Sequence, residues 1–306
     1  MNTEPIRQDK SKAKIAQLLV KQDSQLLNFL IQELKGKSRT TVKSLLAHRQ
    51  VSLGAQPVTQ FDFPLKKGQT VTINWGKVSE QVRLRGLRIL FEDPYIIVVE
   101  KAAGILSIAT AKEKLLTAYS ILSDYVKRDN PENRIFVIHR LDRDTSGVMM
   151  FARSEEIQSV LQRAWQDMVV ERTYSAIVEG QVESDEGTIR SYLKENKALI
   201  MYSTKNPGEG DEAITHYTVV KRTENYTLVD LELETGRKNQ IRVHMKDLGH
   251  SIVGDRKYGS KQNPIRRIAL HARVLEFVHP VTRQTLRFET LLPPPFNYLL
   301  KEDDKS

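Results

Sequence analysis

Two periods of apolar residues run through this chain. Leu26, Leu27, Leu30, Ile31 and Leu34 fall at helical spacing and predict a helix with Ser24 as its N-cap. "KGK" breaks it, and Ser38 is placed to cap a second helix, "RTTVKSLLAHR", with Val42, Leu45 and Leu46 inward. The stretch from Gln50 to Ile73 then reads as short strands joined by Gly and Pro turns. After a linker at 76–87, strand patterns return in "ILFEDPYIIVVEKAAGI", in "RIFVI", read as a buried strand, and in "VMMFAR". Between them "EKLLTAYSILSDYVKR" is amphipathic with a helical period. Ser154 followed by Glu155 and Glu156 predicts the start of a helix over "EEIQSVLQRAWQDM". "RTYSAIVEG", "AITHYTVVKR" and "YTLVDLELE" are strands, "KNQIRVHMKDLG" a helix closed by Gly249, and "ALHARVLEFVHP" and "TLRFET" final strands. Strands with hairpin-like neighbours and interspersed helices predict an α+β fold rather than an all-parallel sheet. The expected division is an arm at 1–22, a small domain at 23–75, the linker at 76–87 and a large domain at 88–306.

Charge adds a direction. The net charge is +9, from 47 Lys+Arg against 38 Asp+Glu. Residues 1–80 hold 13 of those basic groups and 6 of the acidic ones, a balance of +7, so the remaining 226 residues carry only +2. A basic segment on a near-neutral body suits a polyanion such as nucleic acid, although it equally suits a solvated surface. Arg39 and Lys43 lie four apart and share one face of the second helix. The chain has no cysteine, so disulfides, thiolate metal sites and a thiol nucleophile are excluded. No apolar run approaches the length of a membrane-spanning helix, and the first residues carry no signal-peptide core. A cytoplasmic monomer is expected.

The densest chemistry lies in "HRLDRDTSG", His139 to Gly147. Asp142 follows a strand and precedes a polar turn, where reactive side chains are commonly presented. Three readings compete. Asp142 pairs with Arg140 or Arg143 and pins a turn. Alternatively, "DRDTS" begins an aspartate-based phosphatase site, with "GDRKYG" at 254–259 as its later acidic motif; the spacing is a near miss and supplies one carboxylate too few. Or Asp142 is a covalent catalyst kept ionised by an arginine. His139 reads as a packed histidine, and Asp144 as the cap of the "TSG" turn.

A second stretch, "ETGRKNQIRVHMKDLGHSIVGDRKYG", sets Arg237, Arg242 and His244 near the opening of a helix. Together with "HRLDRDTSGVMMFARS", "ERTYSAIVEG", "EDPYIIVVEKAAGI" and "LHARVLEFVHP", it resembles the RluA family of RNA pseudouridine synthases over most of 88–290. The segment "LLNFLIQELKGKSRTTVKSLLAHRQVSLG…PLKKGQTVTI" resembles the S4 RNA-binding domain. The first resemblance implies a mixed, largely antiparallel catalytic sheet that isomerises uridine in structured RNA, without metal or cofactor. It implies Asp142 as the catalytic aspartate, Tyr174 as the residue meeting the base and Arg242 as the partner of Asp142. It also implies Leu270 beside the base and Arg140 on the flipped nucleotide. The second implies RNA contacts at Arg39, Lys43, His48 and Arg49. The combination points to large-subunit ribosomal RNA, with transfer RNA or a non-catalytic RNA-binding or assembly role as alternatives. Two motifs depart from the pattern: Ala102 replaces the usual proline, and Asn239 a frequent histidine.

Overall fold

The computed structural model describes residues 15–47, 50–54, 56–58, 60–74, 83–110, 116–128 and 130–301. The chain forms two compact units, Met1–Val82 and Arg83–Ser306.

In the first unit, β1 (Ile15–Leu19), β2 (Ser24–Gln25), α1 (Leu26–Glu33), α2 (Arg39–Ala47), β3 (Val51–Leu53), β4 (Gln56–Pro57), β5 (Pro64–Leu65) and β6 (Thr70–Asn74) follow in order. The sheet runs β1-β6-β3-β4, and β2 pairs separately with β5. Leu26, Leu30, Val42, Leu46, Val51, Val71 and Ile73 close a core of its own. Two sequence expectations shift here. Ile15–Leu19, within the expected arm, is a full strand that pairs with β6 from end to end. Gln25, not Ser24, is the N-cap of α1, because Ser24 pairs with Leu65. Ser38 does cap α2: its Oγ accepts the Thr41 N–H at 3.1 Å.

The second unit contains β7 (Arg83–Leu84), β8 (Leu87–Glu92), β9 (Ile96–Lys101), α3 (Ala118–Lys127), β10 (Phe136–Val137) and β11 (Ser146–Ala152). Then come α4 (Glu155–Arg163), α5 (Trp165–Met168), β12 (Val169–Glu179), β13 (Glu186–Glu195), β14 (Met201–Thr204), β15 (Asp211–Arg222) and β16 (Tyr226–Leu233). The chain continues through α6 (Gln240–Asp247), β17 (Leu270–Val278), β18 (Thr285–Glu289) and α7 (Pro294–Leu299). One sheet takes the order β14-β13-β15-β16-β12-β17-β11-β9-β8-β7, with β10 and β18 attached to β11 and β17. Along this order, among the described residues, neighbouring strands are antiparallel except β11 with β17. The mixed, largely antiparallel α+β expectation therefore holds.

Local readings differ in four places. Arg83, Leu84 and Leu87, within the expected linker at 76–87, are strand residues, because β7 turns back to pair with β8. "RIFVI" yields only the two-residue β10, half-buried and paired with the end of β11, with Ile135 and Ile138 buried on either side. The helix expected over 155–168 breaks at Ala164, whose φ of −100° and ψ of 24° divide it into α4 and α5. Residues 181–212, which the apolar pattern leaves unassigned, form β13 and β14. Their interior faces carry few large apolar groups, so the strand signal is weak.

Candidate active site

The parallel pairing of β11 with β17 positions the site. Ser146 stands opposite His271 and Gly147 opposite Ala272, so both strands begin at the same end of the sheet. Asp142 lies on the loop entering β11, and Leu270 is the first residue of β17. The loop is fixed from below. Ser107 Oγ donates to Leu141 O at 2.6 Å and accepts the Leu141 N–H at 3.0 Å. The fully buried Lys101 ammonium donates to Ile105 O at 2.8 Å, Ala102 O at 3.1 Å and Arg143 O at 3.2 Å. Burial lowers its pKa to about 8, against the pull of Asp144 and Asp142. Thr145 N–H closes the turn onto Asp142 O at 3.2 Å. Ser146 Oγ contacts His271 Nδ1 at 2.7 Å and accepts from Arg267 Nη2 at 2.8 Å.

Arg242 comes from the buried face of α6. Its Nη1 donates to Asp142 Oδ2 at 3.3 Å. The pair is the one the resemblance implies, while the two-pronged grip of Arg242 falls elsewhere. Arg242 Nε and Nη2 grip Asp255 Oδ2 and Oδ1 at 2.7 and 2.8 Å. Asp255 is 1% exposed, and a buried carboxylate needs such a charged, bidentate partner. Arg242 Nη1 also donates to Asn239 Oδ1 at 3.2 Å, and its guanidinium lies 4.8 Å above the Tyr258 ring. Asn239 Nδ2 in turn donates to Tyr258 Oη at 2.9 Å. Asn239 has a left-handed φ of 56°, which delays the start of α6 to Gln240. Burial works against the charge of Arg242, but Asp255 and Asp142 together outweigh it and raise the pKa above the ordinary arginine value. Asp142 retains 29% side-chain exposure, so it is held yet reachable. It pairs with Arg242 rather than with Arg140 or Arg143, which removes the turn-pinning reading.

Tyr174 follows a register shift in β12 and stands between Leu231 of β16 and Ala272 of β17. Such bulges re-aim a side chain. Burial raises its phenol pKa to about 12, with Arg172 opposing the shift, so the hydroxyl keeps its proton at neutral pH. Arg140, Asp142, Tyr174, Arg242 and Leu270 all line one cleft of about 560 Å³. Arg140 is exposed there, whereas Leu270 is 3% exposed and also belongs to the core. Arg39 and Lys43 lie exposed on α2 of the other unit, and the Lys43 ammonium sits 5.4 Å from the Phe61 ring centroid. His48 and Arg49 lie outside the described residues. His139 is packed, as its sequence context suggests: its Nε2 accepts the Met150 N–H at 3.1 Å, and its ring lies 5.0 Å from that of Trp165. Sequence reasoning missed Asp255, Tyr258 and Lys101. "GDRKYG" was visible, but nothing in a lone acidic motif says which arginine folds onto it.

Known proteins resemble this chain in sequence and in fold. The pattern of the RNA pseudouridylate synthase family matches residues 95–247. The chain is 32% identical over 286 residues to the uncharacterized RNA pseudouridine synthase YhcT of Bacillus subtilis, covering 92% of this chain and 94% of that protein. It is 35% identical to ribosomal large subunit pseudouridine synthase D of Pseudomonas aeruginosa, covering 70% of this chain and 71% of that one. It is 34% identical to tRNA pseudouridine synthase C of Haemophilus ducreyi, covering 71% and 95%. Human RNA pseudouridylate synthase domain containing 4 shares the fold, with a TM-score of 0.57 at 23% identity over 69% of this chain and 90% of that one. With the motifs, the sheet and the cleft in agreement, the chain belongs to the RNA pseudouridine synthase family.

Proposed function

We propose that this enzyme converts uridine to pseudouridine in large-subunit ribosomal RNA, with Asp142 as its covalent catalyst. One observation carries the assignment of the catalyst: a reachable carboxylate, 3.3 Å from a buried arginine, shares a cleft with Tyr174. The target uridine must leave its stack to enter this cleft. Arg140 holds its phosphate, and Arg39, Lys43, His48 and Arg49 of the basic, S4-like first unit hold more distant RNA. Asp142 attacks the uracil ring or the anomeric carbon, and the bond from that carbon to ring nitrogen 1 breaks. The ring turns between Tyr174 and Leu270, carbon 5 bonds to the sugar, and the bond to Asp142 breaks with the electron pair returning to its carboxylate. Carbon 5 then loses its proton by way of the Tyr174 oxygen. That phenol passes its own proton on as it accepts, because burial keeps it protonated up to about 12, and ring nitrogen 1 takes up one proton in exchange through solvent. The atoms of substrate and product are the same, so no cofactor is required.

Ribosomal RNA is favoured over transfer RNA by length. The relative named for tRNA is matched over 95% of itself by 71% of this chain, which leaves almost none of it to answer to the rest of this chain. The relative named for the ribosomal large subunit is matched over 71% of itself and has residues to spare.

The test is incubation of purified protein, without added metal, with unmodified large-subunit rRNA and separately with a tRNA pool. Carbodiimide-dependent reverse-transcription stops then map the product beside an Asp142→Ala control. Stops on rRNA alone, absent with the variant, are expected. Stops on tRNA alone would move the target, and product from pure Asp142→Ala protein would overturn the catalyst.

A further inference from the structure

The cleft is larger than a single pyrimidine ring fills. Its volume of about 560 Å³ falls in the range, on the order of 300–1,000 Å³, that encloses a ligand of several rings. It also rests on two separate parts of the core. Leu270, Tyr174 and Ile241 belong to the cluster under β12, β16 and α6. Ile138, Trp165 and Leu275, which line the cleft as well, belong to the cluster under α4 and α5. The catalytic groups account for the first part and leave the second without a use.

The side chains of that second part are suited to a base rather than a phosphate. His139 Nε2 accepts the Met150 N–H, so the neutral ring carries its proton on Nδ1. Burial keeps the ring neutral, lowering its pKa to about 3. No described residue accepts from that Nδ1–H. Gln162 Nε2 donates to Val137 O at 3.1 Å and Ile138 O at 3.4 Å, which leaves its Oε1 as an acceptor facing no described donor. The exposed Gln166 amide has no hydrogen-bond partner among the described residues. Trp165 adds an apolar wall with an indole N–H. Arg172, which lines the same cleft, is already committed: its Nη2 donates to Leu233 O at 2.8 Å and Glu234 O at 3.2 Å, and it lies 5.9 Å from the Trp165 ring. Neutral donors and acceptors beside an aromatic wall read the edge of an unstacked nucleobase.

We propose that His139, Gln162, Trp165 and Gln166 form a second base subsite, which holds the nucleotide adjacent to the target uridine. The subsite rests on the RNA-modifying reading above and deepens it: the enzyme admits two neighbouring bases and selects its site partly through the second.

The test pairs enzyme variants with altered RNA. Stem–loops carrying the mapped target are made intact, or with an abasic nucleotide on the 5′ or the 3′ side of the target. Gln166 is exposed, so Gln166→Ala should leave the fold intact. On intact RNA this variant should raise KM roughly tenfold with kcat nearly unchanged. The abasic neighbour should impose a similar factor on the unsubstituted enzyme, and combining the two changes should add nothing further. An independent readout uses the two tryptophans of the chain. In a Trp75→Phe protein the remaining indole is Trp165, whose emission should change with intact RNA and stay flat with RNA lacking the neighbouring base. Independent, multiplying effects of variant and abasic site, or indifference of the unsubstituted enzyme to both neighbours, would overturn the subsite while leaving the isomerase intact. Failure of the underlying reading would be seen separately, as undiminished product from Asp142→Ala.

Discussion

Asp142 and Asp255 share one arginine unequally, and the inequality suits the nucleophilic role proposed for Asp142. Asp255 takes both prongs of Arg242 and is almost fully buried. Asp142 receives one longer contact and keeps part of its surface. A nucleophile gripped by the whole fork would be desolvated poorly and released reluctantly. Asp255, Asn239 and the Tyr258 ring therefore aim the guanidinium so that only Nη1 reaches Asp142. Asp255→Asn should retain the shape but loosen this aim. We predict that it lowers kcat by roughly 100-fold, the scale of a misplacement near 1 Å, while RNA affinity changes by less than about threefold. Single-turnover kinetics beside filter binding would check it, and a parallel loss of affinity would mean that Asp255 serves folding alone. Tyr174 makes a second prediction. Since its phenol stays protonated below about 12, the rate should show no rise through pH 8–10 that follows tyrosinate formation, and Tyr174→Phe should abolish turnover while RNA remains bound. A pH–rate profile of the unsubstituted enzyme decides the first point.

At the scale of elements, the join between β11 and β17 is the most constrained feature of the site. Gly147 has a φ of 124°, and a Cβ there would lie 2.1 Å from Ala272 O. A backbone oxygen has no rotamer to retreat into, and a side chain disfavours that φ as well. Gly147→Ala should therefore cost several kcal/mol, at the upper end of overpacking, and shift Asp142 together with its loop. A melting temperature lowered by several degrees or more would be the signature, and an unchanged one would show that the strands can part cheaply. The sequence made a good deal of this legible. Asp142, Tyr174, Arg242 and Leu270 were readable because they sit in long motifs, and those motifs belong to strand ends and a helix start that converge here. The fork onto Asp255 was not readable, because it joins α6 to a turn through a contact that no local period encodes. The division at Ala164 escaped for a related reason: residues 155–168 keep one apolar stripe across the break. β13 and β14 escaped because a strand half-covered on one face shows too little alternation to stand out.

The molecule as a whole should be sensitive to mild acid through histidines it keeps neutral. His244 is fully buried, with Nδ1 and Nε2 on the Thr215 and Ser191 hydroxyls at 2.8 and 2.9 Å. His271 is 1% exposed, between the Ser146 and Thr290 hydroxyls at 2.7 and 2.9 Å. Burial lowers both to about 4; Arg267 and Arg273 add to the effect at His271, whereas Asp247 weakly opposes it at His244. His139 is lowered in the same direction, also mainly by burial. In the unfolded chain each regains an ordinary value near 6.5, so between about pH 6.5 and 4 the unfolded state binds more protons than the folded one. Stability is then complete above about pH 6.5 and falls as pH drops toward 4, by on the order of 3 kcal/mol for each of His244 and His271. Asp93, whose carboxylate is lowered below 3.8 although burial alone would raise it, titrates beneath this window and does not mask the effect. Urea midpoints measured at half-unit steps from pH 8 to 4.5 should be level down to about 6.5 and then decline. A His271→Gln protein should decline less steeply, by up to one proton's worth of slope. Midpoints that stay level to pH 5 would mean that these imidazoles accept protons in place, through rearranged hydroxyls or admitted water, and that the core beside the Asp142 loop is softer than its packing implies.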